Sequence, residues 1–156
     1  MKILLLSIFL LLSVYGQSQA YTLGQDLQDD QKNVYGQVYE IVDIVGGQLI
    51  YVCSKETISA RDWNTMKADV YQFNNAGFSD WYIPNSGDLK RLITYKNSHG
   101  QCHGWYGNLS WVWTCEDSRA NQWVAYCRHL QMNREGTMFK STPLFAIPVR
   151  MIEVKN

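Results

Sequence analysis

Hydrophobic positions in this chain alternate first with period two, then near 3.6, then again with period two. Residues 37–45, QVYEIVDIV, and 48–53, QLIYVC, are rich in β-branched and aromatic residues and flank Gly46-Gly47. Two such runs around a glycine pair predict a hairpin, because a tight primed turn needs positive φ at its centre. A helix is predicted next. Ser59 is placed to cap it, with Asp62 three residues on in a capping-box pattern, and Trp63, Met66, Val70 and Phe73 recur on one face. The run NNAG, ending at Gly77, stops it.

Residues 77–92, GFSDWYIPNSGDLKRL, place an aromatic pair between a turn and a second helix. Pro84 disfavours helix for the residue before it, so DWYI is predicted extended. Asn85 is a good N-cap, and Asp88 at the third helical position can bond back and complement the helix dipole. Leu89, Leu92 and Ile93 give that helix its apolar face, and Trp81 or Tyr82 is expected to fill space between the helices and a sheet.

Residues 96–108, KNSHGQCHGWYGN, read as a loop. LSWVWTC and QWVAYCRHLQM then flank the polar turn EDSRAN as a second hairpin, REG is expected to turn about Gly136, and TMFK is a short strand. In the closing run LFAIPVRMIEV, Pro148 denies a ladder hydrogen bond and predicts an edge or bulged strand. The fold class is α+β.

The first twenty residues change this picture. Lys2, the apolar run ILLLSIFLLLSVYG and the small residues Ser18 and Ala20 match a secretory signal peptide, with Val14 and Gly16 as a second cleavage point. The apolar run is shorter than the roughly 20 residues of a spanning helix, which favours cleavage over an uncleaved anchor. The domain organisation is therefore a leader at 1–20, a polar lead-in at 21–35 and one domain at 36–156. The chain carries 14 Lys plus Arg against 14 Asp plus Glu, so losing Lys2 leaves a net charge of −1. No basic run supports nucleic-acid binding. Cys53, Cys102, Cys115 and Cys127 all lie beyond the leader, and an even count in an exported chain predicts disulfides, with three pairings open.

The order Gly77-x-x-Asp80-Trp81-x-x-Pro84, with Leu89 after it, then WVWTCED and the closing IPVRMI, resembles the Lcl C-terminal-domain-like family of exported bacterial proteins across residues 35–154. Asn85 and Asp88 stand where that family has Thr and Glu. Tyr82 and Ile83 replace its Arg-Leu, and Cys115 replaces a small hydroxyl residue. The resemblance implies a C-type-lectin-like fold: two helices on a twisted antiparallel sheet, with the N- and C-terminal strands paired. It also implies roles in adhesion, glycan binding or other ligand binding, although a fold alone does not fix a function.

The candidate binding cluster is Trp105, Tyr106, Asn108, Glu116, Asp117, Arg119, Asn121 and Trp123, with Trp111 and Trp113 nearby. A flat ring covers the C–H face of a sugar while amides and carboxylates bond its hydroxyls, and the same groups suit protein interfaces. The competing reading makes Trp111 and Trp113 core. His99, Cys102 and His103 lack the second ligand pair of structural zinc, and Glu116 with Asp117 is too few oxygens for calcium, so no metal or cofactor is expected. His129 reads as a half-buried strand residue. The expected function is a secreted, periplasmic or cell-surface binding module for a glycan or protein, without catalysis and with no stable membrane span after leader cleavage; it could self-associate. The rivals are an envelope assembly domain and an enzyme of the related formylglycine-generating type. That enzyme would require a low-pKa Cys102 or Cys127.

Overall fold

The computed structural model describes residues 20–100 and 110–155. In chain order its elements are β1 (Asp26–Gln28), β2 (Val34–Ile44), β3 (Gly47–Ser54), β4 (Ile58–Arg61), α1 (Trp63–Tyr71), α2 (Ser86–His99), β5 (Trp111–Asp117), β6 (Val124–His129), β7 (Arg134–Phe139), β8 (Leu144–Ala146) and β9 (Val149–Lys155). The fold is α+β, with its strands in two antiparallel-rich sheets ordered β1-β2-β3-β9 and β4-β8-β5-β6-β7. Apart from Ala20, the predicted leader lies outside the described residues.

The first hairpin forms as the pattern predicts, with Ile44 opposite Gly47. Positive φ falls on Gly46 alone, the second turn residue, so the turn is not of the primed kind with Val45 in the left-handed region. Gly47 is already strand, and a Cβ there would sit 1.9 Å from the Val154 carbonyl oxygen of β9.

Three expectations need correction. The N- and C-terminal strands do not pair: β9 adds to β3, leaving β1 and β9 at opposite edges of one sheet. The β2–β3 hairpin offers β3 as its free edge, and β9 takes it over seven residue pairs from Gly47–Lys155 to Cys53–Val149. The segment 21–35 also does more than lead in. It supplies β1, whose Leu27 is buried, and its Gly24 N–H donates to the Val38 carbonyl. Finally, residues 134–136 are not a turn but the start of β7. The chain reverses before them, where Asn133 takes φ +49°, and Gly136 lies under the Trp111 ring, where a side chain would collide.

Helix α1 buries Trp63, Met66 and Val70 as its periodicity requires, but Asp62 caps it, accepting the Asn64 and Thr65 N–H groups. Ser59 lies instead within β4. The helix ends at Tyr71, so Phe73 falls beyond it and packs edge-on against Trp81. Helix α2 begins as expected: the Asn85 side chain accepts the Asp88 N–H, and Asp88 accepts the Asn85 N–H, closing a capping box. Pro148 separates β8 from β9, and the latter lies at a sheet edge as predicted.

Three core clusters result, and the extended segment 81–83 contributes one residue to each. Trp81 packs with Val38, Ile50 and Val52. Tyr82 packs against Leu89, Leu92, Ile93 and Val149. Ile83 packs with Trp63, Met66 and Trp113. Both backbone groups of Tyr82 bond Val149 at 2.9 Å, and the Pro84 carbonyl accepts the Cys115 N–H at 3.1 Å. The segment thereby ties α1, α2 and both sheets together.

The cap assignment is directly testable by urea unfolding. Asp62→Ala and Asn85→Ala should each lower stability by about 1 kcal/mol, whereas Ser59→Ala should change it by no more than a few tenths. A larger loss from Ser59→Ala than from Asp62→Ala would refute the assignment.

Candidate functional site

Strands β5 and β6 pair in register from Trp111–His129 to Trp113–Cys127, then slip before Asp117 pairs with Ala125. Their shared faces differ in environment. Trp113, Ala125 and Cys127 face the cluster below α1, and Trp111 packs against its margin. Trp113 is therefore a core residue, donating its indole N–H to the Arg61 carbonyl at 3.1 Å, and Trp111 is half-buried at the edge of that core. His129 is buried rather than half-exposed, set edge-on to the Trp111 ring at 5.0 Å.

The other face of this hairpin leaves a groove of about 720 Å3 lined by Glu116, Asp117, Arg119, Ala120, Tyr126 and Glu135. Its inner end abuts the start of α2. The Ser86 N–H donates to Glu116 Oε2 at 2.8 Å, and the Ser86 hydroxyl donates to Glu135. Buried Arg128 stands behind them, donating to Ser86 Oγ (2.7 Å), to Glu135 (3.3 Å) and to both oxygens of Asn133. A carboxylate at the first N–H of a helix is favoured by the exposed donors and the dipole. Glu116 and Glu135 are thus held in place by the scaffold. On the rim, Asp117 pairs with Lys140 at 2.7 Å.

The structure brings together five residues of the sequence-predicted cluster. Glu116, Asp117 and Arg119 line the groove, and Asn121 and Trp123 sit at the same hairpin end. Asn121 shapes the turn by accepting the Trp123 N–H at 2.9 Å. Trp123 is 68% exposed. Trp105, Tyr106 and Asn108 lie outside the described residues, as do Cys102 and His103. Sequence reading missed Tyr126, Arg128 and Glu135. Tyr126 and Arg128 share a strand face at spacing two, but only tertiary packing brings them to the start of α2.

Among the described residues no disulfide joins Cys53, Cys115 and Cys127, so the predicted bridge is not found there. Cys53 and Cys127 are buried in separate clusters and Cys115 is exposed. Burial pushes the Cys127 thiol up to about 11 and also raises that of Cys115, which opposes thiolate chemistry at either. Among the described residues no group of three or more His, Cys, Asp or Glu could hold a metal; His99 stacks on Tyr95 at 4.7 Å. No described helix is long and apolar enough to cross a membrane.

No family model matches the chain, and the search of curated proteins finds no match.

A thiol whose folded pKa is raised binds its proton more tightly in the folded state, so its contribution is present below the ordinary value near 9 and lost as pH rises toward about 11. Unfolding stability should therefore decline over that interval, and Cys127→Ala should flatten the slope. An unchanged slope in the variant would contradict the burial of this thiol.

Proposed function

We propose that this chain is an exported binding protein without catalysis, acting in the periplasm, at the cell surface or outside the cell, that grips a glycan at the β5–β6 hairpin end. The observation that carries this reading is the convergence of Glu116, Asp117, Arg119 and Tyr126 on one groove, with exposed Trp123 on the same hairpin. A ring for stacking beside fixed carboxylates and a guanidinium is the chemistry a polyhydroxylated ligand needs. Glu116 and Glu135 are pre-positioned by Ser86 and Arg128, which reduces the ordering cost of binding. The basic start, apolar run and small-residue site at 1–20 support export. The resemblance to the Lcl C-terminal-domain-like family, and with it a C-type-lectin-like fold, belongs to the same proposal.

A protein partner is the second reading. Trp123, Phe139 (64% exposed) and Met132 are large apolar side chains left in solvent around this hairpin and β7, as at interface anchors. The formylglycine-generating alternative needs a low-pKa Cys102 or Cys127; burial raises the Cys127 thiol to about 11, and Cys102 lies outside the described residues.

A glycan array on the mature protein, followed by calorimetry, tests the first reading. Trp123→Ala and Glu116→Gln should each weaken binding about tenfold or more, by loss of stacking or of a charge-assisted hydrogen bond. Phe139→Ser should leave glycan affinity unchanged. An array with no hits, together with self-association or partner capture abolished by Phe139→Ser, would replace the glycan reading with the assembly reading.

A further inference from the structure

A recess of about 490 Å3 takes its walls from both edge strands of the first sheet, β1 and β9. Its lining is largely polar. Gln25, Asp26 and Gln28 come from the β1 region, Tyr35 from β2 and Arg150 from β9. Tyr21 and Phe78 add two rings. The fold already holds these groups in place. The Arg150 side chain is 13% exposed, its Nε–H donates to Asp80 at 2.6 Å, and its guanidinium lies 3.7 Å from the centre of the Phe78 ring. The Tyr35 hydroxyl lies beside the same guanidinium, and burial raises its pKa, so the hydroxyl stays protonated. Tyr35 is only 9% exposed, yet it lines the recess. Gln37 donates to Asp26 at 3.1 Å. Gln25 Oε1 accepts the Thr22 N–H at 2.9 Å, which leaves the Gln25 amide hydrogens as donors.

Charge and hydrogen bonding together specify a ligand. Arg150 opposes a cation, and Asp26 with Asp80 opposes an anion, so an uncharged guest is favoured. That guest has to accept and donate at once. A guanidinium has five N–H donors, of which Asp80 takes one, and the two glutamine amides add more, whereas the Asp26 carboxylate accepts. Phe78 is covered by Arg150 and Tyr35 is buried, so the half-buried Tyr21 ring is the lining aromatic surface left for a C–H face. The volume lies within the range of small-molecule sites. We propose that this recess is a second carbohydrate site that takes one neutral pyranose. The sugar stacks on Tyr21, and its hydroxyls accept from Arg150 and Gln28 and donate to Asp26. The site lies on the other sheet from the β5–β6 groove and does not depend on the reading of that groove.

The probe is methyl β-D-glucopyranoside, with glucuronate and glucosamine as charged counterparts. In 1H–15N spectra of the mature protein, the side-chain amide resonances missing from Gln25→Ala and Gln28→Ala should shift as the glucoside is added at millimolar concentration. Tyr21→Ala and Gln28→Ala should each weaken binding about fivefold, as expected for loss of one stacking or neutral hydrogen-bond contact. Gln28 is exposed, so its variant tests the site without disturbing the core. Trp123→Ala, at the hairpin groove, should leave this affinity unchanged. Both charged sugars should bind more weakly than the glucoside. Unmoved Gln25 and Gln28 resonances, or shifts confined to the Trp123 indole, would overturn this site and leave the hairpin reading standing. Binding of either charged sugar as tight as that of the glucoside, or tighter, would overturn the assignment to neutral ligands.

Discussion

The five residues from Trp81 to Asn85 carry the constraint on which the rest of the structure depends. An extended strand sends successive side chains to opposite sides, and here Trp81, Tyr82 and Ile83 enter three different clusters. The backbone is held on both flanks, by Val149 of β9 and by Cys115 of β5. Pro84 keeps the residue before it out of the helical region, and Asn85 then starts α2 without an intervening loop. Because α2 is fixed at its first residue, its N-terminus meets Glu116 and Glu135 in a defined place. Asp80 adds an ion pair to Arg150 at 2.6 Å, and the Arg150 guanidinium lies 3.7 Å from the centre of the Phe78 ring.

The same segment divides two recesses of different chemistry. Glu116 and Cys115 are neighbours on β5 and alternate in direction, so Glu116 lines the charged groove and Cys115 lines an apolar cleft with Val70, Tyr71, Tyr82 and Ile83. The groups behind the groove bond one another: Ser86 holds both glutamates and Arg128 is anchored by Asn133, while the buried Arg128 Nε has no partner among the described residues. Hydrogen bonds among these groups fix the positions of the two carboxylates. Both recesses rest on strand and helix ends rather than on long loops, which favours fixed positions for their side chains.

Local sequence signals were readable wherever one residue type has one physical use. The cap at Asn85 with Asp88, the apolar faces of both helices and the first hairpin follow from such signals. Errors arose where two residues could serve equally. Ser59 and Asp62 are both good caps, and pairing of β4 with β8 decided between them by taking Ser59 into a strand. Gly136 resembled a turn residue, but its missing side chain serves the close approach of Trp111. Trp111, Trp113 and Trp123 have the same composition signal, and burial alone separates them.

The sequence by itself determined an α+β chain with two capped helices, paired β runs, and the acidic and aromatic residues of one hairpin end. These follow from backbone propensity, capping chemistry and periodicity, which act over a few residues. Tertiary structure alone decided that β9 joins β3, that the strands divide into two sheets, and that Tyr126, Arg128 and Glu135 complete the groove. Among the described residues it also left the buried Trp81 N–H without an acceptor. Those outcomes depend on which distant surfaces meet, and long-range packing is set by the shape and burial of whole elements rather than by any short stretch of residues.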